Sequence, residues 1–247
     1  FTDEAPNYFR HSSLNSMGSD LADLNGDGLP DLVSVDMLAD DLVRHKSLEN
    51  GMRANRYNSL IRLGYGHQMM RNQMQINNGN GFSEVGEMTG ISATDWSWAP
   101  LLADFDNDGN TDVFISNGSR YDVTDMDFIT FTSDSLVALG LLKEADAAAY
   151  KTYLSLIPTA PQPNHLYCNL GDLKFKKTTD AWGLGGNNYS SSAVYGDLDN
   201  DGDVDLVVAT LDSPPLVYRN QVIEKGEGGN WLQIKAEGSV ENLFGYG

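Results

Sequence analysis

The chain has 247 residues, with 35 acidic side chains against 16 basic ones and a net charge of -19. At 40% hydrophobic and 10% aromatic residues, its composition is that of a globular protein with a sizeable core, in one large domain or two small ones. An acidic chain without a basic block is a poor ligand for nucleic acid or an anionic membrane surface, no apolar run approaches the ~18 residues of a membrane-spanning helix, and the single Cys168 excludes an intrachain disulfide framework or a cysteine-rich zinc site.

No signal-peptide pattern opens the chain, and a start at Phe1 rather than Met is expected of a processed or trimmed N-terminus. The first predicted element is a short extended stretch that enters the acidic loop DLNGDGLPD (23–31) and leaves it in the β-rich run 32–35. From about residue 36 to 71 the pattern turns helical and basic. This arm carries Arg44, Lys46, Arg53, Arg56, Arg62 and Arg71 against four acids, leaving 31 acids against 10 bases elsewhere. It is expected to fold back onto the acidic body, the alternative being an acidic partner. MQINNGNGF (74–82) reads as a strand ending in Asn, an Asn-Gly turn and a strand starting at Phe82.

Trp96 and Trp98 then lead through LLADF into the second acidic loop, DFDNDGNTD (104–112), and the strand run 113–116. Together with Tyr189 ahead of the third loop, they are expected to plug between neighbouring strand units; the other reading is a surface for stacking on sugars or proteins. A second insertion, about 121–163, has apolar residues at helical spacing in SDSLVALGLL and KEADAAAYKTYLSL, with Ser133 and Asp134 as caps and Pro158 as a stop. LYCNLGDLKF (166–175) repeats the Asn–turn–Phe hairpin, DLDNDGDVD (197–205) is the third acidic loop, and LVYRN (216–220) is a further strand ending in Asn. EKGEGG (224–229) reads as a flexible link.

These elements repeat. Counting back 22 residues from the first Asp of each loop lands on Phe1, Phe82 and Phe175. The unit is a strand ending in Asn, a turn, a strand starting at Phe, a linker, then strand, acidic loop and strand. About four short strands per unit is the signature of a β-propeller blade, so the predicted fold is mainly β, built of propeller blades with two helical insertions on one face.

The three loops share D-x-[DN]-x-D-G-x-x-D and hold twelve of the 35 acids; without them the balance is an ordinary 23 against 16. Carboxylates packed this densely repel one another unless a cation lies between them. The candidate ligands are the side chains at positions 1, 3, 5 and 9: Asp23, Asn25, Asp27 and Asp31; Asp104, Asp106, Asp108 and Asp112; Asp197, Asp199, Asp201 and Asp205. The position 7 carbonyls of Leu29, Asn110 and Asp203 complete the set, with glycine at position 6 for the sharp turn. Oxygen-only donors favour Ca²⁺, in up to three sites. Helix–loop–helix calcium sites need a Glu at position 12, where this chain has Ser34, Ile115 and Val208, so these are strand–loop–strand sites. Asn25 removes one charge from the first loop and is expected to weaken it.

The loops and their flanking strands resemble the FG-GAP/VCBS-type repeats of integrin α-subunit heads and many bacterial surface proteins. ATDWSWAPLLADFDNDG (93–109), with QINNGNGF ahead of it, is similar to bacterial proteins related to cartilage acidic protein, and GGNWLQIKAEGSVENLFGYG (228–247) resembles the start of an ASPIC/UnbV-type segment. The resemblance implies propeller blades over residues 1–220, part of a seven-bladed ring in a longer chain, and a distinct segment over 221–247. It further implies calcium in the blade loops, residence outside the cytoplasm at the cell surface or secreted, and a protein- or glycan-binding role, or attachment to an outer-membrane assembly.

Nothing in the sequence assembles a catalytic set. The four histidines lie at unrelated spacings, and no nucleophile elbow, phosphate-binding loop or dinucleotide fingerprint occurs. Cys168 falls on a strand and reads as a small core residue. The chain is therefore expected not to be an enzyme. A propeller glycan lyase or hydrolase would have to use Glu49, Glu84, Glu87 or Asp95, none of them paired by spacing.

Overall fold

A computed structural model of the chain describes residues 1–48, 54–138, 147–232, 234 and 238. It is mainly β, with small antiparallel sheets that follow one another like blades. The first blade comprises Ser19–Ala22, Asp31–Ser34, Gln73–Asn77 and Phe82–Glu84 in that spatial order. The second repeats it with Ser97–Ala103, Asp112–Asn117, His165–Asn169 and Phe175–Lys177. A third sheet pairs Ser190–Gly196, Asp205–Thr210 and Leu216–Tyr218. Each blade thus opens with the hairpin that carries the acidic loop, half a unit out of phase with the repeat as it reads in sequence.

Strand periodicity decides what each blade buries. Along Asp112–Asn117, Val113 and Ile115 turn to one side and Phe114 to the other, because successive side chains alternate across a sheet. Val113, Ile115 and Tyr167 meet Val33, Val35, Met74 and Ile76 of the first blade. Phe114 and Leu166 meet Ala193, Leu206 and Val208 of the third. Every residue of that central strand is buried, and side chains of this size contribute about 1.5–3 kcal/mol each on burial. Leu24 and Phe105, at loop position 2, insert into these two cores at 3% and 4% exposure, so the first two acidic loops are anchored between blades.

The hairpins set direction. Pairs Ala22↔Asp31, Ala103↔Asp112 and Gly196↔Asp205 close the acidic loops, while Asn77↔Phe82 and Asn169↔Phe175 close the Asn–Phe turns. Antiparallel order places both turn types at one end and the two insertions at the other. The feet of each insertion are pinned alike: Asp36 N–H donates to Asn72 Oδ1 at 2.7 Å and Asn117 N–H to Asn164 Oδ1 at 3.0 Å. A long excursion leaves the blade undisturbed because this bond holds its ends.

The first insertion contains helices Leu42–Ser47, capped by Asp41, and Ala54–Arg62, with Arg53 outside the described residues. Its expected fold-back holds for two bases. Arg44 pairs with buried Asp95 and Asp122, the latter at 2.8 Å, and Arg71 pairs with Glu84 and Glu87 at 2.9 Å each. Arg56 and Arg62 are exposed. The second insertion departs from its expected caps. Its helical run begins at Met126 and passes through the π-turn Phe128–Ser133 into Asp134–Ala138, and Asp125 accepts the Phe128 N–H at 2.8 Å. Ser133 and Asp134 therefore lie inside the run, since Asp125 already satisfies its free end. The later helix, Ala147–Leu156, ends two residues before Pro158.

Phe82 and Phe175 start strands as expected, and Phe1 does not. It is exposed ahead of the short helix Ala5–Tyr8, and Phe9 takes the aromatic contact instead, stacking on Phe82 at 4.6 Å. Trp96 is buried and stacks on Trp98 at 6.0 Å, while Trp98 Nε1 donates to the Gly118 carbonyl at 2.7 Å, a bracing role for both. No helix among the described residues is long and apolar enough to cross a membrane.

Candidate metal centre

The three acidic loops share one hydrogen-bond frame. The position 1 carboxylate accepts the N–H groups of positions 5 and 6: Asp23 from Asp27 (3.2 Å) and Gly28 (2.7 Å), Asp104 from Asp108 (3.1 Å) and Gly109 (2.9 Å), Asp197 from Asp201 and Gly202 (3.2 Å each). The position 5 carboxylate accepts the N–H of position 7, so Asp27, Asp108 and Asp201 hold Leu29, Asn110 and Asp203 at 2.8, 2.7 and 3.1 Å. Two left-handed residues make the turn. Position 6 is glycine at φ +83°, +92° and +96°, and position 4 is Gly26, Asn107 or Asn200 at +77°, +54° and +60°. The second requirement was legible in the Gly/Asn/Asn column, because asparagine tolerates this region better than most residues.

Position 9 is a buried brace. Asp31, Asp112 and Asp205 each accept the position 2 N–H on Oδ2, from Leu24 (2.8 Å), Phe105 (3.0 Å) and Leu198 (3.0 Å). Each accepts on Oδ1 the N–H of an Asn at the end of the third strand (Asn77, Asn169) or two residues past it (Asn220), at 2.8 Å. Every oxygen keeps a further lone pair for a cation.

Position 3 differs between the loops. Asn25 turns inward on its own loop, accepting the Asp27 N–H and donating to Asp27 Oδ2, both at 3.0 Å. Asp106 accepts the Cys168 thiol at 3.0 Å. Asp199 pairs with Arg219 at 2.6 Å, and the same guanidinium reaches Asp201 at 3.6 Å and also binds Glu224. Sequence spacing gave no sign of Cys168, Arg219 or Glu224 at these loops. The Asp203 side chain, at a position expected to supply only a carbonyl, is fully buried and accepts the Ile223 N–H at 3.4 Å.

The donors fit a hard cation. Asp104, Asp106 and Asp108 converge with oxygens within 4.8 Å of one another, as do Asp197, Asp199 and Asp205, and Asp199, Asp201 and Glu224. Among the described residues, two buried carboxylate oxygens in these loops, Asp106 Oδ1 and Asp203 Oδ1, have no hydrogen-bond partner, a costly state that a cation would relieve. The titration behaviour agrees. Burial raises Asp31 and Asp106, and pushes Asp112 up to about 7 and Asp203 up to about 6. Asp23 and Asp201 are lowered, chiefly by the backbone N–H groups of Gly28 and Asp203.

Other candidate chemistry is already engaged. Burial and the Asp106 hydrogen bond raise the Cys168 pKa, so the thiol is not the thiolate that a nucleophile requires. His165 is buried and held neutral, its pKa lowered to about 4. Glu84 accepts the Gly86 N–H and pairs with Arg71, and Asp95 is paired with Arg44; Glu49 lies outside the described residues.

The family profile of the FG-GAP-like repeat matches residues 61–115 and 153–221, two copies that together cover half of the chain. Each copy runs from the last part of an insertion through the Asn–Phe hairpin and an acidic loop, so the second and third loops lie inside the matches and the first outside. A search of curated proteins found no match to the chain.

Proposed function

The chain belongs to the FG-GAP-like repeat family, and on that premise we propose that it is a calcium-binding module that works outside the cytoplasm, binding a protein or glycan ligand without catalysing a reaction. The observation that carries this reading is the frame repeated in all three loops together with the orphaned buried oxygens of Asp106 and Asp203. Calcium would be held by the side chains at positions 1, 3, 5 and 9 and the position 7 carbonyl of each loop. It would supply positive charge that lets crowded carboxylates share one tight turn. Modules of this kind bind calcium with dissociation constants of about 0.1–1 mM, useful where calcium is millimolar, which supports a surface or secreted location. At ten times such a constant each site adds about 1.4 kcal/mol to stability.

Thermal melts with calcium and with EGTA test the reading. The melting temperature is expected to rise with calcium, and identical melts would overturn it. A second role, as an accessory subunit of an outer-membrane assembly, is favoured by Leu42, Val43, Leu63 and Tyr65, which stand exposed around the first insertion, at the end opposite the acidic loops. The specific likeness to cartilage acidic protein and to an ASPIC/UnbV-type segment belongs to this proposal as well, since most of residues 233–247 lie outside the described residues.

A further inference from the structure

Between the blades runs a hydrogen-bonded path that touches every acidic loop. Asn169 ends the third strand of blade 2, and its backbone N–H holds Asp112 of its own loop. Its side-chain amide donates to Thr111 O at 3.0 Å and, across the blade interface, to Leu24 O of the first loop at 2.9 Å. Asn220 does the same one blade later. Its N–H holds Asp205, and its amide donates to Val204 O at 3.2 Å and to Phe105 O of the second loop at 2.8 Å. Leu24 and Phe105 sit at position 2, between the candidate ligands at positions 1 and 3, and their own N–H groups are held by Asp31 and Asp112. The path is therefore continuous: Asp31, Leu24, Asn169, Asp112, Phe105, Asn220, Asp205.

Asn77 is the internal control. It makes the own-blade bonds, to Asp31 and to Pro30 O at 3.1 Å, and among the described residues it has no cross-blade bond. A peptide carbonyl pinned between two ligand positions fixes how those ligands converge. A change at one loop that shifts its position 2 carbonyl must move, or strain, the Asn that braces the next loop.

We propose that Asn169 and Asn220 are positioning residues that couple neighbouring cation loops, so that filling one loop raises the affinity of the next. The inference rests on the calcium reading above. It differs from simple bracing because bracing alone would leave the three sites independent.

Calorimetry on the whole chain with calcium alone, with the loops disabled one at a time, tests it. Disabling the first loop with Asp23→Asn plus Asp27→Asn is expected to weaken binding at the second by about 5-fold or more, the lower range of measured couplings. In an Asn169→Ala background the same change should leave the second loop unaffected, and Asn77→Ala should preserve the coupling. If Asn169→Ala does not fold, the comparison of the loop-disabled chain with wild type still decides. Second-loop affinity unchanged by loss of the first overturns the proposal while leaving calcium binding intact. A wild-type chain that binds no calcium sinks the earlier reading instead.

Discussion

Arg219 shows how one residue can reverse a ranking by charge. The third loop has five aspartates and the first has three, so charge alone places the tightest site at the third. Yet the Arg219 guanidinium already pairs with Asp199 and Glu224 and stands near Asp201, and a divalent cation must displace it from the shared carboxylates. Arg219→Gln is therefore expected to tighten calcium binding at the third loop several-fold and leave the first unchanged, as read by calorimetry. An unchanged or weakened third site would mean that the arginine orients the carboxylates rather than competing for them. The aspartates at positions 1 and 5 were legible from spacing alone. The brace at position 9 was not, because its partners Asn77, Asn169 and Asn220 arrive from another strand.

At the scale of elements, the helix Leu42–Ser47 is tied down by one cation. The Arg44 side chain is 20% exposed, and it pairs with Asp95 and Asp122, each 2% exposed, which join the first insertion to the second blade and to the start of the second insertion. Burial opposes its charge and the two carboxylates more than restore it, so its pKa lies above the ordinary arginine value. Removing one partner leaves two buried carboxylates uncompensated. Arg44→Ala is expected to cost about 3 kcal/mol in urea denaturation. Full stability in that variant would show the insertion to be held by other contacts. The helical character of both insertions was visible in apolar spacing and charge. The helix start at Met126 was missed although its signal is local, an Asp125 cap three residues before the N–H it accepts, because Ser133 and Asp134 offer the same capping signal further on.

For the whole molecule, the raised carboxyls set a pH window. Below about pH 4 Asp112 and Asp203 are protonated both folded and unfolded, and they contribute nothing to pH dependence. Between that point and their folded values of about 7 and about 6, the folded chain keeps protons that the unfolded chain has lost. Stability of the calcium-free protein therefore falls as pH rises through this window. Calcium needs Asp112 deprotonated, as one of its ligands, and offsets that share of the loss. Melts at about pH 5 and about pH 7.5 should show a larger calcium increment at the higher pH. A larger increment at the lower pH would overturn the assignment of the Asp112 carboxylate to the cation. Because the loops share one end of the blades, this titration acts on a single face of the molecule.

The sequence by itself determined the acidic loops, the glycine at their turn, the hairpins ending in Asn and starting at Phe, and the mainly β fold. Each of these is written within about ten residues, where spacing translates directly into geometry. Only the tertiary structure decided which strands share a sheet, for the same repeat can be divided in more than one phase and only burial of Val113 and Ile115 on one side and Phe114 on the other selects among them. It also decided what reaches each loop. Cys168 comes to Asp106 from 62 positions away through strand pairing within the second blade, and Asn169 to Leu24 from 145 through the packing of one blade against the next, separations over which no local pattern carries information.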